Sequence, residues 1–366
     1  MQWPEIPDDH PTPSLVIHRP TVQDNLRRMQ AYCDSHQLRL RPHTKTHKSL
    51  VMASDQLACG ATGLTVAKVG EARVMRGVCN DILIAYPAVG TRRLQELAEL
   101  AIDSRITVGI DSRDAAHQLQ AAAHSRGITL DILVDLDVGF FRTGIPQSAD
   151  AVRLCQTIDS MSHLRFRGLM CFPGHLLPNS DPGLWDRYAE ALHSVLDQLK
   201  ACGIFAETVS GGSTPTATVS HRNPFLNEIR PGTYIYNDWN EVRLGVATLE
   251  QCAARVLATV VSVPSHQKFI VDAGSKTLSS DRNCVDDQSG FGRVLEFPEA
   301  KISRLSEEHG EVTTPDQNTF AMPRVGDRVW LIPNHICVCV NLQNTFFLMD
   351  EGSLTEHPVD ARGLLV

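Results

Sequence analysis

The sequence predicts an α/β protein, a (β/α)8 barrel followed by a smaller, mostly β domain. Three observations carry that prediction. Apolar runs of strand length alternate with helical stretches over most of the chain, the pattern of parallel strands joined by crossover helices. The runs number eight, the count of a closed barrel. After about residue 245 helix signals fade, and the runs at 254–264, 268–273, 329–342 and 345–349 are β-rich. Residues 12–244 are therefore assigned to the barrel, and residues 1–11 with 245–366 to the β domain.

Barrel strands are expected at 39–45, 61–67, 81–87, 105–111, 131–138, 166–173, 207–211 and 229–236, with helices near 20–36, 68–78, 91–103, 113–126, 147–160 and 183–202. The last of these is the most explicit. Trp185, Tyr188, Leu192, Val195 and Leu199 recur at three- and four-residue spacing, the stripe of a helix that packs one face on a sheet.

Composition excludes several classes. A net charge of −8 over 366 residues opposes nucleic-acid binding, which needs a basic footprint. No apolar run reaches membrane-spanning length, and the acidic N-terminus lacks a secretory signal. Ten cysteines outside any small-domain framework predict reduced thiols and a cytoplasmic protein.

Barrel active sites sit at the C-terminal ends of the strands. The first strand, in Arg39-Leu40-Arg41-Pro42-His43-Thr44-Lys45-Thr46-His47-Lys48, ends at Lys45. Read as a strand, it places Arg39, Arg41, His43, Lys45 and His47 on one face. Neighbouring cations lower a lysine's pKa and favour the free amine that forms Schiff bases, although the same cluster also fits a solvated basic edge or a phosphate-binding stripe. Later ends supply Asp111, then Arg142 in Asp137–Gly144, then His175 in Phe172-Pro173-Gly174-His175. Ser210-Gly211-Gly212-Ser213-Thr214 is a glycine–hydroxyl turn suited to cradle a phosphate. The eighth end offers Arg230, Gly232, Thr233 and Tyr234.

These segments, with Asp272-Ala273-Gly274-Ser275-Lys276 and Pro333-Asn334-His335-Ile336-Cys337, resemble the D-threonine aldolase and D-serine dehydratase family in order and over nearly the whole chain. That family comprises fold-type III pyridoxal phosphate enzymes related to alanine racemase. The resemblance implies that Lys45, beside His43, carries the cofactor, and that Arg142 faces its phenolate oxygen. Ser210, Gly211, Gly212, Ser213 and Thr214, with Gly232, Thr233 and Tyr234, would hold the phosphate. Arg230 would face the pyridine nitrogen, keep it unprotonated and weaken the electron sink.

His335 and Cys337 point the same way if their segment is a strand, and imidazole with thiolate suits zinc. A packed histidine beside a buried thiol is the plainer reading of the pair. The resemblance places a divalent ion there, zinc in preference to manganese or magnesium, with open positions for the β-hydroxyl of a D-amino acid. Two lyase reactions follow: dehydration to a 2-oxo acid and ammonia, or retro-aldol cleavage to glycine and an aldehyde. His175, His309 and His47 are candidate bases. Family aldolases tend to carry His-X-Asp and dehydratases His-X-Cys, so Cys337 favours dehydration. A racemase would need a tyrosine from the β domain, but every tyrosine lies before residue 237. A non-catalytic pyridoxal phosphate-binding homeostasis protein is the alternative of another class, and the extra β domain argues against it. The resemblance also implies a homodimer with a shared active site.

Overall fold

The computed structural model describes residues 3, 5–315 and 322–366. Residues 1, 2, 4 and 316–321, which fall within the stretches assigned to the β domain, lie outside the described residues. The chain divides into two compact units. One holds residues 27–45, 49–232 and 363–366, and the other residues 1–26, 46–48 and 233–362.

The first strand, β1 (Ser14–His18), belongs to the second unit. The first unit is built on β2 (Arg39–Leu40), β3 (Leu64–Val66), β4 (Asp81–Ile84), β5 (Arg105–Ile110), β6 (Leu130–Leu136), β7 (Leu164–Cys171), β8 (Thr208–Gly211) and β9 (Glu228–Ile229). All eight run parallel in the order β2-β9-β8-β7-β6-β5-β4-β3. A parallel bridge between His43 and Thr65, with Thr65 N–H donating to Pro42 O at 2.8 Å, joins the two ends of that order and closes the ring. The (β/α)8 reading holds. Strands buried on both faces read as continuous apolar runs, as Leu130–Leu136 does, and such runs are legible without an alignment. The helix Pro182–Ala201 buries Trp185, Tyr188, Leu192, Val195 and Leu199, the stripe the spacing predicts.

Two barrel strands are cut to two residues each. The strand expected at 39–45 stops at Leu40, and Thr44–Thr46 is a 3-10 turn, so the shared face of Arg39 to His47 does not form. Pro42 lacks the N–H that would extend the ladder, and the Thr44 hydroxyl turns back to Thr65 O at 3.2 Å. The strand expected at 229–236 likewise ends at Ile229, just before Arg230-Pro231-Gly232, and Thr233–Ile235 is 3-10.

The second unit's sheet runs β13-β14-β11-β10-β1-β16-β17, formed by β10 (Ala254–Ser265), β11 (Lys268–Val271), β13 (Lys301–Leu305), β14 (Gly310–Thr313), β16 (Thr345–Asp350) and β17 (Ser353–Pro358). Branching from it, β15 (Arg328–Pro333) pairs β10 and also β12 (Gly292–Val294). Here too one expectation fails. The strand read through 329–342 ends at Pro333, and Ile336–Leu342 is a helix with His335 as its N-cap. The apolar run Ile336-Cys337-Val338-Cys339-Val340 satisfies either period. The structure buries Ile336, Cys337, Cys339 and Val340 and exposes Val338, which is the helical pattern.

Between β6 and β7 the register slips, and Gly168 adopts φ +143° with its α-carbon against the Thr208 carbonyl, where any β-carbon would collide. Gly168→Ala is therefore expected to destabilise the protein by at least about 2 kcal/mol, since both strain and overlap oppose it. A thermal or denaturant unfolding curve checks this.

Candidate active site

Within the barrel unit, a chain of buried polar contacts runs between the strands. Glu228, fully buried on β9, accepts from Arg41 Nε at 3.0 Å through Oε2 and from the Ser210 hydroxyl at 2.7 Å through Oε1. Ser210 Oγ in turn accepts from Arg230 Nη1 at 2.6 Å, and Arg230 Nη2 donates to Cys171 O at 2.8 Å. Arg41 also pairs with Asp81 at 2.7 Å. Arg230 is thus fixed by two strand ends, while the Ser210 hydroxyl is committed to Glu228 and Arg230.

The cofactor-binding candidates cluster at the same ends. Lys45 is exposed on its 3-10 turn, and its backbone N–H donates to His43 Nδ1 at 3.3 Å. Gly211 sits where a β-carbon would lie 2.5 Å from the Tyr188 hydroxyl oxygen, and Gly212 has φ +77°. Only glycine gives this turn, which brings backbone to the rim as a phosphate cradle requires. The Ser213 amide is taken by Thr216 Oγ1 at 3.0 Å, so the amide of Ser213 serves the turn itself. The turn geometry and the anchored Arg230 fit an anionic cofactor. Tyr234, in the second unit, is buried within its 3-10 turn after Gly232-Thr233.

Arg142 lies on the loop after β6. Asp137 Oδ1 accepts the N–H groups of Gly139, Phe140 and Phe141 at 2.9–3.0 Å and so shapes that loop. The Arg142 guanidinium stacks on Phe172 at 4.6 Å and Phe140 at 5.1 Å. His175 is half-buried beside Gly139, its Nδ1 buried without a hydrogen-bond partner. Burial lowers its pKa, against a smaller opposing pull from Asp137. A neutral imidazole with an unused nitrogen suits proton transfer. His309 is exposed on the β13–β14 turn, where its backbone carbonyl accepts from Ser306 N–H. His47 is buried against the Tyr236 ring.

In the second unit, His335 Nδ1 meets the fully buried Asp238 Oδ2 at 3.3 Å, and His335 is also hydrogen-bonded to Cys337. The Cys337 sulfur lies 3.2 Å from Thr46 Oγ1 and 3.7 Å from Thr233 Oγ1. The His335 pKa is pushed up to about 11, by the Cys337 sulfur first and by Asp238. Glu241 is buried close by with Oε2 unpartnered, and its pKa is raised by burial and by Asp238. Two carboxyl groups and a thiol around one imidazole form a field that favours a cation, so the donor set fits a divalent metal. Among the described residues no group of three or more His, Cys, Asp or Glu side chains is arranged to hold a metal. His335 and Cys337 are the pair that could hold an ion with its remaining positions open.

Glu228, Asp135, Asp238 and Glu241 were missed by sequence reading. Glu228 and Asp135 are acidic residues inside strands, and Asp238 and Glu241 cap and begin a short helix, so none stands in a motif. A cavity of about 240 Å3 lined by Arg39, Arg41, Asp81, Arg105, Arg167 and Glu228 lies at the N-terminal strand ends, so Glu228 and Arg41 join that end of the barrel to the Ser210–Arg230 contacts.

Comparison with known proteins agrees with this architecture. A family model described as "Alanine racemase, N-terminal domain" matches residues 17–239, and one described as "Putative serine dehydratase domain" matches residues 253–349. A D-threonine aldolase from Arthrobacter sp. is 30% identical over 366 residues, covering 96% of this chain and 93% of that protein. The chain belongs to the D-threonine aldolase and D-serine dehydratase family. It is a lyase of the alanine racemase-like fold. D-threo-3-hydroxyaspartate dehydratase from Delftia sp. HT23 is 30% identical over 89% of this chain and 90% of its own. Its solved structure superimposes with a TM-score of 0.88, covering 96% and 98% of the two chains at 28% identity. That dehydratase has also been solved with a histidine, or a cysteine two positions later, replaced by alanine, the cysteine variant in a metal-free form. The D-threonine aldolase of Filomicrobium marinum superimposes with a TM-score of 0.89 at 30% identity, covering 98% of each chain.

Asp135 yields a prediction with a definite sign. It lies buried on β6, accepts from Thr143 Oγ1 at 3.0 Å, and burial pushes its pKa up to about 6. A carboxyl raised in the fold adds stability below its unfolded value near 3.8, and that contribution is lost as pH rises through about 6. Cofactor-free protein should lose about 2 kcal/mol between pH 4 and pH 7 through this group. Asp135→Asn should remove that part of the pH dependence, as read by denaturant unfolding at both pH values.

Proposed function

We propose that this protein is a pyridoxal phosphate- and divalent-metal-dependent lyase of β-hydroxy D-amino acids, and that it dehydrates them to 2-oxo acids and ammonia. The observation that carries the reading is the half-buried His335 paired with Cys337 in an acidic cluster, a ligand set with thiolate in place of carboxylate. The related dehydratase has been solved with a histidine and, separately, a cysteine two positions later replaced by alanine, the latter in a metal-free form, and the same spacing supports these two residues here.

When bound, pyridoxal phosphate draws electrons from the substrate's α-carbon and the ion polarises its β-hydroxyl. The chain's own residues do the rest. Lys45, exposed at the end of the first barrel strand, is the cofactor's covalent anchor and then the base that takes the α-proton at Nζ. The turn 210–214 with Gly232, Thr233 and Tyr234 holds the phosphate. Arg142 faces the cofactor's phenolate oxygen. Arg230, locked by Ser210 and Cys171, would face the ring nitrogen as a donor and keep it unprotonated. His335 and Cys337 hold the ion, for which zinc is favoured. Lys45 immediately precedes Thr46, whose hydroxyl lies against Cys337, so the chain ties the anchor to the metal ligand.

The same reading takes 12–244 as the cofactor domain and 1–11 with 245–366 as the metal domain, in a homodimer with a shared active site. The ten free cysteines support a cytoplasmic protein, and no described helix is long and apolar enough to cross a membrane. Retro-aldol cleavage is the second reading, favoured by the likeness to D-threonine aldolases. It would use His175, or the exposed His309, on the β-hydroxyl proton.

Product analysis separates the two. With pyridoxal phosphate and zinc or manganese, D-serine, D-threonine and D-3-hydroxyaspartate should yield oxo acid and ammonia. Glycine with an aldehyde as the only products would overturn dehydration. A chelator, or His335→Ala, should lower kcat at least about 100-fold, as loss of a Lewis acid requires.

A further inference from the structure

We propose that Asp238 is the positioning residue of the metal site, fixing which nitrogen of His335 is offered to the ion. The inference rests on the metal reading above and goes beyond it to a residue that binds neither metal nor substrate. Asp238 is fully buried at the N-terminus of the helix Trp239–Arg243. Each carboxylate oxygen is committed. Oδ1 accepts the Glu241 amide at 3.0 Å, so the group is held against rotation. Oδ2 accepts the Ile336 amide at 3.1 Å and faces His335 Nδ1 at 3.3 Å.

An anionic carboxylate has no proton to give, so His335 Nδ1 is the donor of that bond. When an ion displaces the other proton, the one held by Asp238 stays on Nδ1, so Nε2 is the nitrogen offered for coordination. The same oxygen, through the Ile336 amide, pins the backbone one residue beyond His335 and one before Cys337. One buried side chain thus sets the tautomer of the first ligand and the approach of the second. Glu241 is buried in the same cluster, with its Oε2 unpartnered and its amide held by Asp238 Oδ1.

The test is zinc affinity, measured by competition with a chromophoric chelator, together with the absorption spectrum of the cobalt-substituted protein. Asp238→Asn turns an amide towards two N–H groups and disfavours the required tautomer. Asp238→Ser keeps a hydroxyl able to cap the helix but removes the carboxylate. Both are expected to weaken zinc about 10- to 100-fold and to shift the cobalt bands, a loss larger than the fall in metal-free melting temperature accounts for, with the visible band of bound pyridoxal phosphate unchanged. Zinc affinity within twofold of wild type in both variants would overturn the proposal alone. Equal losses of zinc affinity and metal-free melting temperature in both would also overturn it, because Asp238 would then serve the fold. A wild-type protein that binds no zinc or cobalt would overturn the metal reading beneath it, and the proposal with it.

Discussion

The barrel unit depends on how it accommodates Glu228. A carboxylate taken fully out of water is tolerated only when both oxygens are matched, and here Arg41 and Ser210 match them. Each partner extends the constraint. Arg41 leads directly into Pro42-His43-Thr44-Lys45, and its amide donates to Ile229 O. Ser210 opens the glycine turn and accepts from Arg230, whose own amide donates to Gly211 O. The segments that carry Lys45, the glycine turn and Arg230 are thus tied to one buried carboxylate and to the short ladder β2-β9-β8.

Burial and charge then divide the chemistry between the two units. In the barrel unit the candidate ligands are cationic or donor groups, Lys45, Arg142, Arg230 and a glycine turn, which suit an anionic cofactor. In the second unit the cluster is acidic, with Asp238, Glu241 and Cys337 around His335, which suits a cation.

What was legible in the sequence follows from the range of the interaction involved. Parallel strands buried on both faces and the stripe from Trp185 to Leu199 are local patterns, and both appear where expected. The His-X-Cys spacing was visible as well, but its backbone was not. Ile336-Cys337-Val338-Cys339-Val340 suits strand and helix equally, and the helix is chosen partly by the Asp238 carboxylate, 98 residues earlier, accepting the Ile336 amide. Glu228 and Asp135 were illegible for a related reason. An acidic residue in a strand is read as solvent-facing until its partners across the sheet are known. The 3-10 turns at Thr44–Thr46 and Thr233–Ile235 follow Pro42 and Pro231-Gly232, where proline chemistry warned of a break that the strand assignment overran.

The central claim is that Lys45 is the covalent seat of pyridoxal phosphate in this chain. It is tested most directly by borohydride reduction of the cofactor-loaded protein followed by peptide mass mapping. The account predicts a single phosphopyridoxyl addition on the peptide containing Lys45, lost in Lys45→Ala. Reduction that labels another lysine, such as Lys48 or Lys276, while Lys45 stays unmodified would contradict it.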